Sequence, residues 1–238
     1  MENRAQRLLF LLGDETAFDA AAEEFVPAAG GRDAAIALLL QGGEDWQEYV
    51  PRYTQPWIER GVRRHYPIAP DEKGELDLNA VSSTLHEATG VFIGGGHTPT
   101  YHKLYAQGPV GDVIRERWQH GIPVAGVSAG AMITLETCVL TPDETQDGSY
   151  RPVAGLGLIT DVLIEVHFTE HNALPRLLDA MALTRTGHAL GIDEPACAVF
   201  EDGSFQGALG RSVYDGVMCD FETKAHRASR CEQTYRRP

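Results

Sequence analysis

Short apolar runs alternate with longer amphipathic segments over the first half of the chain. Four of the runs lack charged residues, as buried strands of a parallel sheet do: residues 8–12, 35–40, 91–93 and 124–127. Three segments between or beside them place polar residues on one side and predict helices: residues 57–64, 81–89 and 110–120. This alternation predicts an α/β fold with a doubly wound, mostly parallel sheet flanked by helices.

The second half of the chain has a different pattern. Residues 158–168 form a long apolar stretch rich in β-branched residues, which predicts a strand, and residues 174–183 predict a helix. Three short strands are expected after it, separated by turn-forming Asp-Glu-Pro and Glu-Asp-Gly: residues 189–192, 196–200 and 205–209. Since neither an internal repeat nor a linker is visible, we predict one domain over residues 1–238, with residues 227–238 as a flexible tail.

The charge and composition exclude several classes of protein. The formal net charge is −14, from 34 acidic and 20 basic residues, and such a surface repels nucleic-acid backbones and anionic lipid. The four cysteines show no Cys-x-x-Cys pair, so we expect free thiols and no zinc site. Neither a membrane-spanning run nor a signal peptide is recognisable. We therefore expect a cytoplasmic protein that binds neither membranes nor nucleic acids.

Candidate chemistry is concentrated in the sequence Gly-Val-Ser-Ala-Gly-Ala at residues 126–131. It follows the apolar run 124–127 and precedes residues compatible with a helix, which is the context of a nucleophile elbow. Small residues on both sides of Ser128 allow a tight turn that exposes its hydroxyl. The pattern predicts a nucleophilic serine, whereas the alternative is a glycine-rich turn that only packs closely.

Three glycines at residues 94–96 follow another predicted strand. A loop of this kind can aim a backbone N–H at a carbonyl oxygen, so Gly95 and Ala129 are candidates for an oxyanion hole. A nucleotide site is disfavoured, because the loop lacks both the Lys-Ser/Thr of a P-loop and the Gly-x-Gly-x-x-Gly spacing of a dinucleotide site. We predict no cofactor.

A nucleophilic serine needs a base and an acid. Of nine histidines, His167 is the best placed base because it ends the predicted strand 158–168, and His97 and His171 are its competitors. The spacing alone does not choose an acid from the three carboxylates that closely follow the elbow: Glu136, Asp143 and Glu144.

Together these motifs resemble the dipeptidase E and cyanophycinase family of serine peptidases, which has the class I glutamine amidotransferase-like fold. The resemblance rests on four blocks in the family's order: Gly94 to Gly96, residues 126–131, His167-Phe168, and Gly-Ile-Asp-Glu at 191–194. It implies Ser128 as the nucleophile, His167 as the base and Asp143 as the acid, with Glu144 as an alternative. It is also compatible with a homodimer.

The resemblance implies a substrate as well, namely a short peptide with aspartate before the cut bond or a fragment of a β-linked aspartyl-arginine polymer. Its implied substrate-binding positions are four side chains: His97, Thr169, His171 and Arg176. His97 stands where the family usually has Asn or Asp. His171 and Ala173 replace two arginines of the cyanophycinase pattern, and Arg176 matches a later one.

The leading hypothesis is a metal-independent serine peptidase that hydrolyses small peptides through an acyl-enzyme. Two alternatives stay open. An esterase or amidase would use the same elbow. A catalytically silent binding module would keep the fold and hold an acidic or peptidic ligand in the glycine-rich crevice.

Overall fold

The computed structural model of the protein describes residues 6–231 and 234–235. The helices of this part, numbered α1 to α7, are Phe18–Ala28, Val50–Glu59, Leu78–Glu87, Thr98–Tyr101, Gly108–Gln119, Ala129–Met132 and Leu174–Thr184. Its strands β1 to β7 are Leu8–Leu12, Ala35–Leu39, Arg64–Ile68, Gly90–Ile93, Val124–Val127, Thr137–Leu140 and Arg151–Ala154. Strands β8 to β13 are Leu163–Val166, His188–Ile192, Ala196–Glu201, Ser204–Gly210, Val213–Asp220 and Ala225–Cys231.

The largest sheet has seven strands in the order β11-β10-β1-β5-β4-β2-β3. Neighbouring strands are parallel over the five-strand run β1-β5-β4-β2-β3. At the other edge, β10 pairs antiparallel with β1, and β11 pairs antiparallel with β10. Strands β1, β2, β4 and β5 are buried at every position, because helices cover both faces. The predicted α/β fold with a mostly parallel sheet is therefore confirmed.

A second sheet of four strands has the order β13-β12-β9-β8. Strands β8 and β9 are parallel, with helix α7 between them in sequence, and β12 and β13 extend the sheet antiparallel. Strands β6 and β7 form a separate hairpin. The carboxyl ends of β5 and β8 precede Ser128 and His167, so each sheet supplies one of the two residues.

Several predicted elements differ from the structure. The helix expected at 57–64 lies at Val50–Glu59 instead, and the segment that follows is the edge strand β3. The strand expected over 158–168 is confined to Leu163–Val166. Residues 227–231 of the expected tail belong to β13, whereas residues 232, 233 and 236–238 lie outside the described residues.

Helices α1 to α7 have at most 12 residues each. Over the described residues, none combines the length and the apolar character of a bilayer span.

Candidate active site

Ser128 occupies a strained turn between strand β5 and helix α6. Its backbone has φ 50° and ψ −115°, a conformation that a residue with a side chain rarely adopts. The turn is tight enough that a Cβ on Gly130 would lie 2.3 Å from the Ile93 carbonyl oxygen. The Ser128 N–H donates to the Leu12 carbonyl of β1 at 3.0 Å. These contacts fix the serine at the carboxyl edge of the large sheet, with its hydroxyl directed away from the strands.

His167 joins Ser128 to a carboxylate. Its Nε2 lies 3.1 Å from Ser128 Oγ, and its Nδ1 lies 3.0 Å from Glu194 Oε1. The side chains of His167 and Glu194 are 19% and 34% exposed, so the imidazole is largely shielded while the carboxylate stays in partial contact with water. With Nδ1–H donated to Glu194, Nε2 is the nitrogen left to accept the serine proton.

The pairing of two parallel strands explains why His167 and Glu194 meet. Val166 at the end of β8 is in register with Ile192 at the end of β9, so the residues that follow both strands emerge at one edge. Asp193 is buried and ties the two loops together. Its Oδ1 accepts hydrogen bonds from the Thr169 N–H at 3.1 Å and the Thr169 hydroxyl at 2.8 Å.

The carboxylate next to His167 is not the one that the family resemblance implies. Asp143 is an exposed residue of the 3-10 turn Pro142–Glu144, which follows the hairpin strand β6. Glu144 caps that turn by accepting from the Thr141 N–H at 2.9 Å. Glu136 is exposed beside β6. The carboxylate within hydrogen-bond distance of His167 Nδ1 belongs to Glu194, the last residue of the Gly-Ile-Asp-Glu block at 191–194.

The glycine loop lies directly against Ser128. A Cβ on Gly95 would be 3.4 Å from Ser128 Cβ and 3.3 Å from the Val127 carbonyl oxygen. The N–H of Ala129 is the first of helix α6, so the helix offers it no carbonyl partner. The Gly95 N–H donates to the Tyr53 hydroxyl at 3.2 Å. The two predicted oxyanion-hole positions therefore flank the serine, and one of them already has a partner.

A cavity of about 340 Å³ opens beside Gly95. Aromatic rings form part of its wall, and the charged side chain among its lining residues is that of Glu44. The residues that line it are Leu40, Gln41, Gly42, Gly43, Glu44, Trp46, Tyr49, Tyr53, Gly95 and Tyr101. Three aromatic residues from one stretch of the chain, Trp46, Tyr49 and Tyr53, thus contribute to the wall of this cavity.

The four predicted substrate-binding residues have different surroundings. His171 is exposed and its ring stacks on that of His167, with centroids 4.9 Å apart. His97 precedes helix α4 and its Nδ1 lies 2.9 Å from Thr100 Oγ1. Thr169 is bonded to Asp193, as described above. Arg176 forms an ion pair with the buried Glu165 at 2.6 Å, so its charge is already balanced within the protein.

The same corner of the structure could hold a metal ion. One ligand atom from each of His167, His171 and Glu194 lies within 4.8 Å of the others. Two histidines and a carboxylate are ligands that zinc accepts. Since His167 and Glu194 are already joined by a hydrogen bond, an ion bound here would compete with the serine arrangement.

A serine on a strained strand-to-helix turn, bonded through a histidine to a carboxylate, is an arrangement characteristic of serine hydrolases built on an α/β sheet. Residues 14–207 match the family described as "Peptidase family S51". The chain belongs to this family, which confirms the resemblance found in the sequence.

Individual relatives agree with this assignment. The chain is 30% identical over 191 residues to a cyanophycinase from Nostoc sp., a match that covers 79% of this chain and 64% of the relative. It is 28% identical over 211 residues to a cyanophycinase from Synechococcus elongatus, covering 85% of this chain and 65% of the relative. The chain thus spans less than two thirds of the length of these relatives.

Solved structures show the same fold. A peptidase from an acI-B1 Actinobacterium superposes with a TM-score of 0.67 at 19% identity, covering 89% of this chain and 91% of the other. A putative peptidase E protein from Listeria monocytogenes superposes with a TM-score of 0.62 at 16% identity, covering 87% of this chain and 100% of the other.

Proposed function

We propose that the protein is a serine peptidase that hydrolyses small peptides through an acyl-enzyme. The observation that carries the proposal is the continuous hydrogen-bonded chain Ser128–His167–Glu194, built on a backbone turn that packing holds in a strained conformation. A silent binding module would have no need to hold a serine and a histidine in this geometry. Membership of a peptidase family supports the same reaction class.

In the proposed reaction Ser128 Oγ attacks the peptide carbonyl while His167 Nε2 takes its proton. Glu194 holds the imidazole in the required tautomer and stabilises its cationic form. The carbonyl oxygen becomes an oxyanion beside Ala129 and the glycine loop. Collapse of this intermediate breaks the C–N bond, and His167 returns the proton to the leaving amine. Water, activated by His167, then releases the acyl group from Ser128.

The preference for aspartate before the cut bond is a finer part of the proposal. His171 is exposed beside His167 and can pair with a substrate carboxylate when it is protonated. Glu44, in the cavity beside Gly95, repels an acidic group and favours a neutral or cationic one. An aspartyl side chain would therefore bind on the His171 side, and another part of the substrate would enter the cavity.

Active-site labelling tests the nucleophile. A fluorophosphonate should label the wild type at Ser128, and the label should be lost in Ser128→Ala and greatly reduced in His167→Ala. Ser204→Ala, which changes an exposed serine of β11, should label like the wild type. Labelling and peptide hydrolysis should withstand a chelator, since no proposed step uses a metal. A folded wild type that is neither labelled nor active would favour the binding module.

Substrate profiling tests the preference. Dipeptides that differ only in Asp, Asn or Leu before the cut bond should be compared with a β-linked aspartyl-arginine dipeptide and an ester of the best acyl group. A kcat/KM that is highest for an aspartyl substrate supports the proposal. Equal rates for Asp and Leu contradict the preference, and hydrolysis of the ester alone would make the protein an esterase.

A further inference from the structure

The Tyr53 hydroxyl lies at the place where the glycine loop meets the serine. Its oxygen accepts the Gly95 N–H at 3.2 Å, and Gly95 is in close contact with Val127 and Ser128. Tyr53 and Gly95 also line the same cavity. The phenol therefore lies in the cavity wall beside the glycine loop that packs on the serine, although it comes from helix α2 rather than from a strand end.

Within the part of the chain that the structure describes, the Tyr53 hydroxyl uses its acceptor but not its donor. A phenol has one O–H donor and can accept through its oxygen. The acceptor side is used by Gly95, and among the described residues no carbonyl or carboxylate takes the Tyr53 proton. The Gly95 N–H, in turn, is directed at the phenol oxygen. The Tyr53 O–H is thus a donor without an acceptor among the described residues, and it lies beside the glycine loop that packs on Ser128.

We propose that the Tyr53 hydroxyl donates a hydrogen bond to the oxyanion that forms at Ser128, with the Gly95 N–H holding the phenol in place. Tyr53 and Ala129 then supply the two donors of the oxyanion hole, and Gly95 acts through Tyr53. The inference rests on the serine peptidase mechanism proposed above.

The surroundings of Tyr53 suit this role. Its ring packs against Phe18 at 5.0 Å and Phe92 at 5.9 Å between centroids, which restricts the position of the hydroxyl. Burial raises the pKa of Tyr53 above its ordinary value, so the phenol keeps its proton at neutral pH. A donor that is already oriented and protonated stabilises a developing charge without reorganising during the reaction.

Tyr53→Phe tests the proposal because it removes the hydroxyl and keeps the packed ring. Loss of one oxyanion donor lowers kcat by roughly 10²-fold or more in serine hydrolases. We expect kcat to fall by about that factor while KM stays within about twofold, since the bond forms only in the transition state. Tyr66→Phe, on the edge strand β3, is the matched control and should keep wild-type kinetics.

Inhibitor binding separates an oxyanion contact from a structural role. A peptide boronate forms a tetrahedral adduct on the serine, and its affinity should fall in Tyr53→Phe by about the same factor as kcat/KM. The affinity for the product peptide and the melting temperature should stay unchanged. Equal losses for boronate and product would assign Tyr53 to substrate packing and overturn the inference.

Two further results would overturn it. Wild-type kinetics in Tyr53→Phe would mean that the hydroxyl does not reach the oxyanion, and a higher kcat would mean that it blocks the Gly95 N–H. Failure of the underlying mechanism is recognised separately, because Ser128 of the wild type would then not react with the fluorophosphonate at all.

Discussion

At the scale of single residues, Ser128 and His167 share an unusual feature. Both have φ near 50°, in the left-handed region that residues with a side chain avoid. Each directly follows the last residue of a parallel strand, and the positive φ turns its side chain out of the sheet towards the other. Strain of this kind costs about 1–3 kcal/mol per residue and persists only where packing holds it. Here it brings Oγ to within hydrogen-bond distance of Nε2.

Glu194→Gln should lower kcat by about 10²- to 10⁴-fold with little change in KM. The amide keeps the size of the side chain but removes the charge that stabilises the imidazolium, and it can hold the ring in the wrong tautomer. The measurement is steady-state hydrolysis of the best dipeptide, with circular dichroism to verify folding.

Asp143→Asn is the matched control for Glu194→Gln, because it neutralises the carboxylate that the family resemblance had favoured. Its kcat should stay within about twofold of the wild type, since Asp143 is exposed on a turn after the hairpin strand β6. A large loss in Asp143→Asn with a small one in Glu194→Gln would reverse the assignment of the acid.

Of the three predicted triad residues, the structure brings together Ser128 and His167 but not Asp143, for a physical reason. Ser128 lies in a local motif, and His167 ends an apolar strand, so both are visible in short windows. Glu194 is 27 residues from His167 and reaches it only because β8 and β9 are parallel neighbours. Helix α7 between these strands makes them a βαβ unit, and recognising that unit would have placed residues 193–194 beside His167.

At the scale of elements, a buried ion pair connects β8 to α7. Glu165 lies two residues before His167, its side chain is 8% exposed, and Arg176 Nη2 lies 2.6 Å from its Oε1. Burial raises the pKa of Glu165, and the nearby Arg176 guanidinium opposes that rise. The Arg176 guanidinium therefore stabilises the charged form of the buried Glu165 carboxylate beneath helix α7, which connects β8 and β9.

Arg176→Met should destabilise the protein by about 2 kcal/mol at neutral pH. Breaking a buried pair typically costs 3–5 kcal/mol, and the partial exposure of Arg176, 31%, reduces that figure. Chemical denaturation measures the change. Arg63→Met, at an exposed position between α2 and β3, is the control and should stay within about 0.5 kcal/mol of the wild type.

The deficit of Arg176→Met should depend on pH. Without the guanidinium the folded pKa of Glu165 rises further, so the folded state holds a proton that the unfolded state has lost above pH of about 4.3. Stability therefore falls as pH increases through the raised pKa. The deficit should be small at acidic pH and full at neutral pH, and adding Glu165→Gln should restore part of it. A deficit independent of pH would assign the effect to packing alone.

The sequence predicted the elements whose burial requires apolar residues. It missed or misplaced elements whose residues are exposed or include proline. The fully apolar strands β1, β2, β4 and β5 were found, because only apolar residues fill a sheet covered on both faces. Strand β3 was missed, since its sequence Arg-His-Tyr-Pro-Ile suits an exposed edge. Strand β13, Ala-His-Arg-Ala-Ser-Arg-Cys, is likewise polar and lies at the edge of the second sheet. Helix α2 was misplaced because it contains Pro51 and Pro56.

At the scale of the whole molecule, the site is assembled across two sheets. The large sheet supplies Ser128, and the second sheet supplies His167 and Glu194. Gly13, directly after β1, lies at the junction. Its N–H donates to the Ala196 carbonyl at 2.9 Å, and a Cβ there would be 2.1 Å from the Asp193 carbonyl oxygen. The close approach of two backbones at Gly13 thus sets the position of Glu194 relative to the serine.

Gly13→Ala should therefore impair catalysis from outside the active site. The clash is with backbone atoms, so the loop bearing Glu194 must move, at a cost of about 1–3 kcal/mol in stability. We expect kcat to fall at least tenfold, and Gly13→Ala combined with Glu194→Gln to be no slower than Glu194→Gln alone, because both changes remove the same contact. Gly187→Ala, where a Cβ meets nothing within 4 Å, should behave like the wild type. If the losses in kcat from the two substitutions multiplied in the double variant, Gly13 would act through something other than Glu194. The junction between the sheets would then not position the acid.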